Sequence, residues 1–474
     1  MGSPLKQASL IALGLIAGVV LMMQLSALAH KSVEPAMPID DLRQLADVYD
    51  VVKHSYVEPV DDKKLLTDAI NGMVNSLDPH SAYLDKAAFR ELREGTEGRF
   101  VGLGIEISPG DDGTLRIVTP IEDAPAWRAG IKAGDIITRI DDVAVQTIGI
   151  DEAINRMRGE PGSVVKLTIV RPHVLTPLVV SVTRAEIVQH SVKSRMIEPG
   201  YGWLRVAQFQ EPTLDDMVVR INALYKQHPA MKGLVLDLRN DPGGVLQSAV
   251  GVAAAFLPRD AVVVSTRGQL AESHQEFRGR PDHYMLAPSG DSLAALPPGL
   301  KQLPLVVLVN TGSASASEIV AGALQDHRRA LIMGSQTFGK GSVQTIRPLA
   351  GDTAVKLTTA RYYTPNGRSI QARGIVPDLA VDETVNGDGI NALRTREADL
   401  LKHLANTAPP DNGAATPAQQ DVRDELEEEL AANAMAAGGK ALDYGGDSDF
   451  QLRQAINQLK GLKVQLAGKP RAAH

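Results

Sequence analysis

Along this chain the hydrophobic positions change period several times, and each change marks an element. Short, mostly apolar stretches from Gly202 to Val206, Gly233 to Leu238 and Leu305 to Val309 read as buried strands. Segments with apolar residues three and four apart follow them, at Leu214 to Gln227, after the Gly243-Gly244 turn, and from Ser315 to Asp326. Ala330 to Met333 then returns the chain to the sheet. This alternation predicts an α/β core over residues 186–382.

The flanking regions carry other patterns. From Ile39 to about Phe100, apolar residues recur at helical spacing (Leu42, Leu45, Val48, Val51, Val52; then Leu65, Ile70, Met73, Leu77), which predicts a helical segment over 33–99, interrupted near Pro59 and Pro79. Residues 100–185 read as a small β-rich module. Its first strand starts at Gly102-Leu-Gly-Ile105, and others follow at Leu115 to Val118, Gly134 to Asp141 and Val164 to Val170, with short helices at Ala124 to Gly130 and from about Ile150 to Met157. Residues 383–474 begin with an Ala/Pro/Asn-rich linker, Thr407 to Gln420, and an acidic run, Asp421 to Glu429. They end in a helix predicted from Asp449 to Val464, with apolar Leu452, Ile456, Leu459 and Leu462.

Composition narrows the function classes. The 474 residues predict more than one domain, and the 44% hydrophobic content is enough for packed cores. A net charge of −7 gives no reason to expect nucleic acid, and the absence of cysteine excludes disulfides and cysteine catalysis. At the N-terminus, Lys6 precedes an apolar run from Leu10 to Met23, and Ala27-Leu28-Ala29 has the small residues of a signal-peptidase site. Residues 1–29 are therefore expected to be a cleaved signal peptide, with an uncleaved inner-membrane anchor as the alternative. Either places the body in the periplasm or elsewhere outside the cytoplasm, with a membrane touched only through this segment.

The candidate chemistry lies between Asn310 and Thr345. Ser315 stands at a strand-to-helix turn, where unpaired N–H groups and the positive end of the helix dipole suit a developing oxyanion. Ser315-x-x-Glu318 is also a capping-box pattern, so the serine alone would read as a helix cap. Lys340, between Gly339 and Gly341 and 25 residues beyond Ser315, changes that reading. A desolvated lysine loses its proton more readily, and the neutral amine can take one from a hydroxyl. Gly334 to Lys340 matches the first part of a phosphate-binding loop, but Gly341 stands where a Ser or Thr would hold magnesium. No metal, nucleotide or other cofactor is implied. Upstream, the Gly243-Gly244 turn can approach a substrate closely and donate backbone N–H groups.

Gly312-Ser-Ala-Ser-Ala-Ser-Glu318, with Phe338-Gly-Lys-Gly-Ser-Val-Gln344, resembles the active-site signature of the carboxy-terminal processing (tail-specific) serine proteases. The resemblance implies Ser315 as nucleophile, Lys340 as general base and Gln344 as the residue that orients the lysine. Ser313 and Ser317 become turn and cap residues. It also implies an oxyanion hole built from Gly243 or Gly244 with the N–H of Ala316. Asp78-Pro-His-Ser-Ala-Tyr83, Ala360 to Gln371 and Gly374 to Asp378 are similar to further motifs of that family, with His80 taken as structural. The order of the β-rich module and its G-L-G-I loop resemble a PDZ domain, which implies peptide binding at Gly102, Leu103, Gly104 and Ile105.

The expected protein is thus an α/β multidomain chain: a helical N-terminal segment, a β-rich PDZ module inserted before an α/β protease core, and a helical C-terminal tail. Its expected activity is that of an exported serine endopeptidase cleaving proteins near or from their C-termini. Its partners would be protein or peptide substrates with free C-termini, an adaptor or activator protein, and further copies of itself in a homo-oligomer. The competing class is a non-catalytic PDZ scaffold that uses the α/β body for assembly.

Overall fold

Alternate residues of the Leu305–Val309 strand explain how the core is layered. Leu305, Val307 and Val309 pack with Leu234 and Leu236 against the helices Thr213–Gln227, Leu246–Phe256 and Ala316–Asp326. Val306 and Leu308 face the other way, with Trp203, Val235 and Met333, and meet the helix Phe450–Leu459. Successive side chains of a strand point to opposite faces, so a strand covered on both sides must be apolar throughout. The structure, a computed structural model, describes residues 38–110, 113–172, 174–286, 290–385, 394–406 and 443–466. The apolar run Leu10 to Met23, Ala27-Leu28-Ala29, the Thr407 to Gln420 linker and the acidic run lie outside the described residues.

The chain divides into two units, at Gly72 and Met73. In the first, the helix Ile39–Ser55 and the start of the helix Asp62–Asn75 are joined by an ion pair of Lys53 with Asp62. No helix among the described residues is long and apolar enough to cross a membrane.

The second unit holds the remaining elements. Its core sheet has six strands in the order 192–198, 201–206, 233–237, 305–309, 331–334 and 379–380. The first pair is antiparallel and every later pair parallel. The helices that follow 201–206, 233–237 and 305–309 cover one face, while the tail helix covers the other. A second sheet is antiparallel: Ser342–Leu349 pairs with Thr353–Tyr363, which also pairs with Ala82–Leu84 and Val262–Gly268. The β-rich module forms its own sheet, in the order 105–109, 115–120, 136–140, 164–170 and 178–183. Its two ends leave the core through one antiparallel pair, Arg99–Gly102 with Ala185–Val188.

Two elements differ from the sequence reading. The strand expected to start at Gly102 begins only at Ile105, after a break that follows the strand Arg99–Gly102. The helix expected at 150–157 is present, and Gly149, whose φ of 74° is outside the helical region, separates it from a preceding helical turn that begins at Val145. The tail helix stops at Leu459 and does not reach Val464. Gly461, at φ 69°, takes the left-handed conformation after the cap. Gly461 N–H then bonds Gln458 C=O and Leu462 N–H bonds Asn457 C=O, the paired bonds of a Schellman stop.

Candidate active site

Ser315 has φ 54° and ψ −109°, backbone values that a residue with a side chain adopts at a cost on the order of 1–3 kcal/mol. The turn is held by its neighbours. Ser313 Oγ accepts Asn310 N–H at 3.0 Å and donates to Leu238 C=O at 2.8 Å, while Ala314 N–H and Ser317 Oγ both donate to Asp241 C=O at 2.9 Å. Buried hydrogen bonds on both flanks thus fix Ser315 at the mouth of the helix Ala316–Asp326.

Lys340 lies in the loop between Gly334 and Ser342, and its glycine neighbours are required by space. A Cβ on Gly341 would stand 2.3 Å from Gln371 N, and one on Gly339, at φ 99°, 3.1 Å from Arg373 N. The carboxylate of Glu318 ties this loop to the serine turn. Its Oε2 accepts Ser315 N–H at 2.8 Å and Lys340 N–H at 2.9 Å, and its Oε1 accepts Gly339 N–H at 2.7 Å and the Thr337 hydroxyl at 2.5 Å. Burial pushes the Glu318 carboxyl up to about 7, against the four donors, which favour its charged form.

Burial also lowers the Lys340 amine below the usual lysine value, and the charge of Lys356 acts the same way. Glu397, Glu318 and Asp78 oppose both effects. These carboxylates are themselves anchored. Asp78 accepts from His80 N–H, from the N–H and hydroxyl of Ser81, and from the Thr358 hydroxyl; these bonds hold it below the usual carboxylate range although burial would raise it. His80 Nε2 meets Glu397 Oε2 at 2.7 Å, and Gln371 Nε2 donates to Glu397 Oε1 at 2.8 Å. Gln371 Oε1 in turn accepts Gly341 N–H at 3.0 Å, and Glu397 N–H reaches Phe338 C=O. The Gln344 amide donates to Ser342 Oγ at 2.9 Å and Thr358 Oγ1 at 3.3 Å.

Tyr362 is buried, and burial pushes its phenol up while the Ser315 hydroxyl acts the other way. Among the described residues, no hydrogen bond joins Ser315 Oγ to Lys340 Nζ. Tyr362 N–H bonds Gly341 C=O at 2.7 Å, so the phenol is fixed relative to the lysine loop.

The glycine turn approaches the serine from the other side. A Cβ on Gly243 would stand 2.8 Å from Ser315 Cβ and 2.8 Å from Ala316 N, and one on Gly244 would stand 1.9 Å from Phe209 C=O. No side chain fits either position. Gly243 N–H is already given to Asp241 Oδ1, at 2.8 Å. Burial drives the Asp241 carboxyl well above its usual range, and its Oδ2 has no partner among the described residues. Neither Gly244 N–H nor Ala316 N–H has an acceptor among those residues.

In the β-rich module, Gly104 has φ 73°, and a Cβ there would stand 2.2 Å from that of Ala124. Leu103 is buried, and its C=O accepts Ala126 N–H at 2.9 Å. Ile105 opens the strand at the edge of its sheet, which leaves one side open to an added strand.

The structure therefore brings Ser315, Ala316, Lys340, Gly243 and Gly244 together, with Gln344 on the adjoining strand. Sequence reasoning missed three residues that shape the site. Glu318 was visible only as a helix cap, Tyr362 sat in a motif with no assigned role, and Glu397 lies in the tail, where nothing in the local pattern sets it apart. Among the described residues, no group of three or more His, Cys, Asp or Glu is placed to hold a metal.

Comparison with known proteins fits this arrangement. Residues 200–381 match the model of peptidase family S41, residues 116–171 a PDZ domain, and residues 19–88 the activating protease CtpB N-terminal domain. A carboxy-terminal-processing protease of Bartonella bacilliformis is 41% identical over 421 residues, 87% of this chain and 92% of that protein. A probable CtpA-like serine protease of Staphylococcus aureus is 35% identical over 345 residues, 72% of this chain and 65% of that one. Among solved structures, the photosystem II D1 C-terminal processing protease is 31% identical, with a TM-score of 0.40, covering 73% of this chain and 87% of that one. The identity and coverage of the Bartonella bacilliformis protein place this chain among the carboxy-terminal-processing proteases of peptidase family S41, and it is a serine peptidase carrying a PDZ domain.

Proposed function

We propose that the chain is an exported endopeptidase that cleaves proteins near or from their C-termini through a Ser315–Lys340 dyad. The observation that carries this reading is the shared carboxylate of Glu318, which anchors the serine turn and the lysine loop at adjacent backbone N–H groups. As substrate enters, the Ser315 hydroxyl turns to the neutral Lys340 amine, which takes its proton. Ser315 Oγ attacks the peptide carbonyl, and the N–H groups of Gly244 and Ala316 receive the oxyanion. Gly244 is preferred to Gly243 because the Gly243 N–H is committed to Asp241. Protonated Lys340 gives the proton to the leaving amine of the substrate; neutral Lys340 then deprotonates a water that attacks the acyl group, and returns that proton to Ser315 Oγ as the ester bond breaks.

In this reading the module at 100–185 recruits or senses substrate C-termini, through backbone donors of the Gly102 to Ile105 loop and strand addition at its open edge. The division into residues 1–29, 33–99, 100–185, 186–382 and 383–474 belongs to the same proposal, as do Gln344 as a lysine-orienting residue, an activator or adaptor protein and a homo-oligomer. Export rests on the Leu10 to Met23 run and the small residues ending at Ala29. The test is degradation of casein, an unstructured substrate, by the purified chain and by Ser315→Ala and Lys340→Ala. Loss of cleavage in both variants supports the dyad, and parent-like cleavage in either removes it.

A further inference from the structure

Residues 443–466 lie beyond the stretches matched by the three family models, yet their side chains end on both turns of the active site. Asn240 opens the glycine turn and Asn310 opens the serine turn. The two are stitched together: Asn240 N–H donates to Asn310 Oδ1 at 2.9 Å, and Asn310 Nδ2 donates to Asn240 Oδ1 at 2.8 Å. The Tyr444 hydroxyl sits on this stitch. It accepts from Asn240 Nδ2 at 2.8 Å and donates to Glu383 Oε1 at 3.1 Å, while Asn310 Nδ2, whose two hydrogens go to Asn240 and Glu383, stands 3.5 Å from it.

The ring of Tyr444 is held independently of its hydroxyl. It stacks on the Arg239 and Arg205 guanidiniums, at 4.3 and 4.6 Å from its centroid. Arg239 is buried and bonds Asp449 at 3.0 and 2.6 Å, Gln451 Oε1 at 3.1 Å and Asp237 at 2.9 and 2.7 Å. The tail therefore meets the glycine turn at two consecutive residues, Arg239 and Asn240. Gly445, at φ 82°, lies so close to Trp203 that a Cβ would stand 2.6 Å from the indole, which fixes the backbone beside Tyr444.

We infer that Tyr444, at the head of the tail, is a positioning residue of the catalytic centre, its hydroxyl being the pin that keeps the Gly243-Gly244 turn and the Ser315 turn in register. This rests on the reading of Ser315 and Lys340 as the dyad. The physical reason is tolerance. Gly243 is so close to Ser315 that a Cβ would not fit between them, so a shift of either turn by about 1 Å moves the oxyanion donors off the reacting carbonyl, which costs about 10²-fold in rate. The tail also packs the core, because Phe450, Leu452 and Ile456 cover one face of the sheet. The two roles separate by substitution: Tyr444→Phe removes the pin and keeps the ring, while Ile456→Val loosens the helix packing and leaves the pin.

The experiment uses the full-length chain. Casein hydrolysis, the rate of Ser315 labelling by a fluorophosphonate and thermal midpoint are measured for the parent, Tyr444→Phe, Ile456→Val and Ser315→Ala. Tyr444→Phe is expected to lower kcat about 10-fold or more, with KM unchanged and labelling slowed in parallel. Ile456→Val is expected to lower the midpoint at least as much as Tyr444→Phe and to keep the parent kcat. A parent-like kcat in Tyr444→Phe overturns the inference, and so does an equal loss of kcat in Ile456→Val. Hydrolysis retained by Ser315→Ala is a separate failure, which removes the dyad and the positioning role with it.

Discussion

Ser315 and Lys340 donate their backbone N–H groups to the same oxygen, Oε2 of Glu318, at 2.8 and 2.9 Å. A residue that first reads as a helix cap is therefore the joint between the nucleophile's turn and the base's loop. The joint is buried, so each of its bonds is costly to lose.

Glu318→Gln places an amide NH₂ among donors. The expected result is a loss of about 2 kcal/mol of stability, as a buried donor is left unsatisfied, and about 10²-fold in kcat/KM from displacement of the two segments. Chemical denaturation and casein hydrolysis measure the two effects. A variant with parent kinetics would remove Glu318 from the catalytic framework.

The same carboxyl makes stability pH-dependent. Its ordinary value is 4.5 and burial raises it to about 7 in the folded chain, so the folded state holds an extra proton between those values. The stability this contributes is complete below pH 4.5 and is lost as pH rises through 7, by roughly 3 kcal/mol. Denaturant titrations at about pH 5 and about pH 8 should show that loss in the parent, and a smaller one in Glu318→Gln.

Lys340 acts only as the neutral amine, so activity should rise with pH along a limb whose midpoint lies below the ordinary lysine value of 10.5. Glu397 opposes deprotonation of the amine and Lys356 favours it. Glu397→Gln should therefore move the limb to lower pH, and Lys356→Gln to higher pH. The check is a pH profile of kcat/KM on an ester substrate. A limb that stays in place while only the plateau falls would show that Glu397 does no more than hold Gln371 and His80.

How much of this was legible in the sequence follows from how far apart the interacting residues are. Leu305 to Val309 and the S-x-x-E turn carry their meaning locally, so the buried strand, the helix start and the unusual serine could all be read from neighbours. The lysine between two glycines could be read as well, because lack of space around Gly339 and Gly341 leaves no other residue there. His80 and Glu397 are 317 residues apart, and Arg239 and Asp449 are 210 apart. No periodicity links such pairs, and only the folded sheet brings the tail to the glycine turn. The end of the tail helix was misread for a local reason: the apolar spacing runs on to Leu462, but Gly461 stops the helix with backbone bonds that hydrophobic spacing does not show.

The most direct test of the dyad is to map the fluorophosphonate adduct by mass spectrometry while following its rate in the parent and in Lys340→Ala. A single adduct on Ser315, forming about 10³-fold more slowly without the lysine, is the predicted result. An adduct on Ser313 or Ser317, or a parent-like rate in Lys340→Ala, would contradict it.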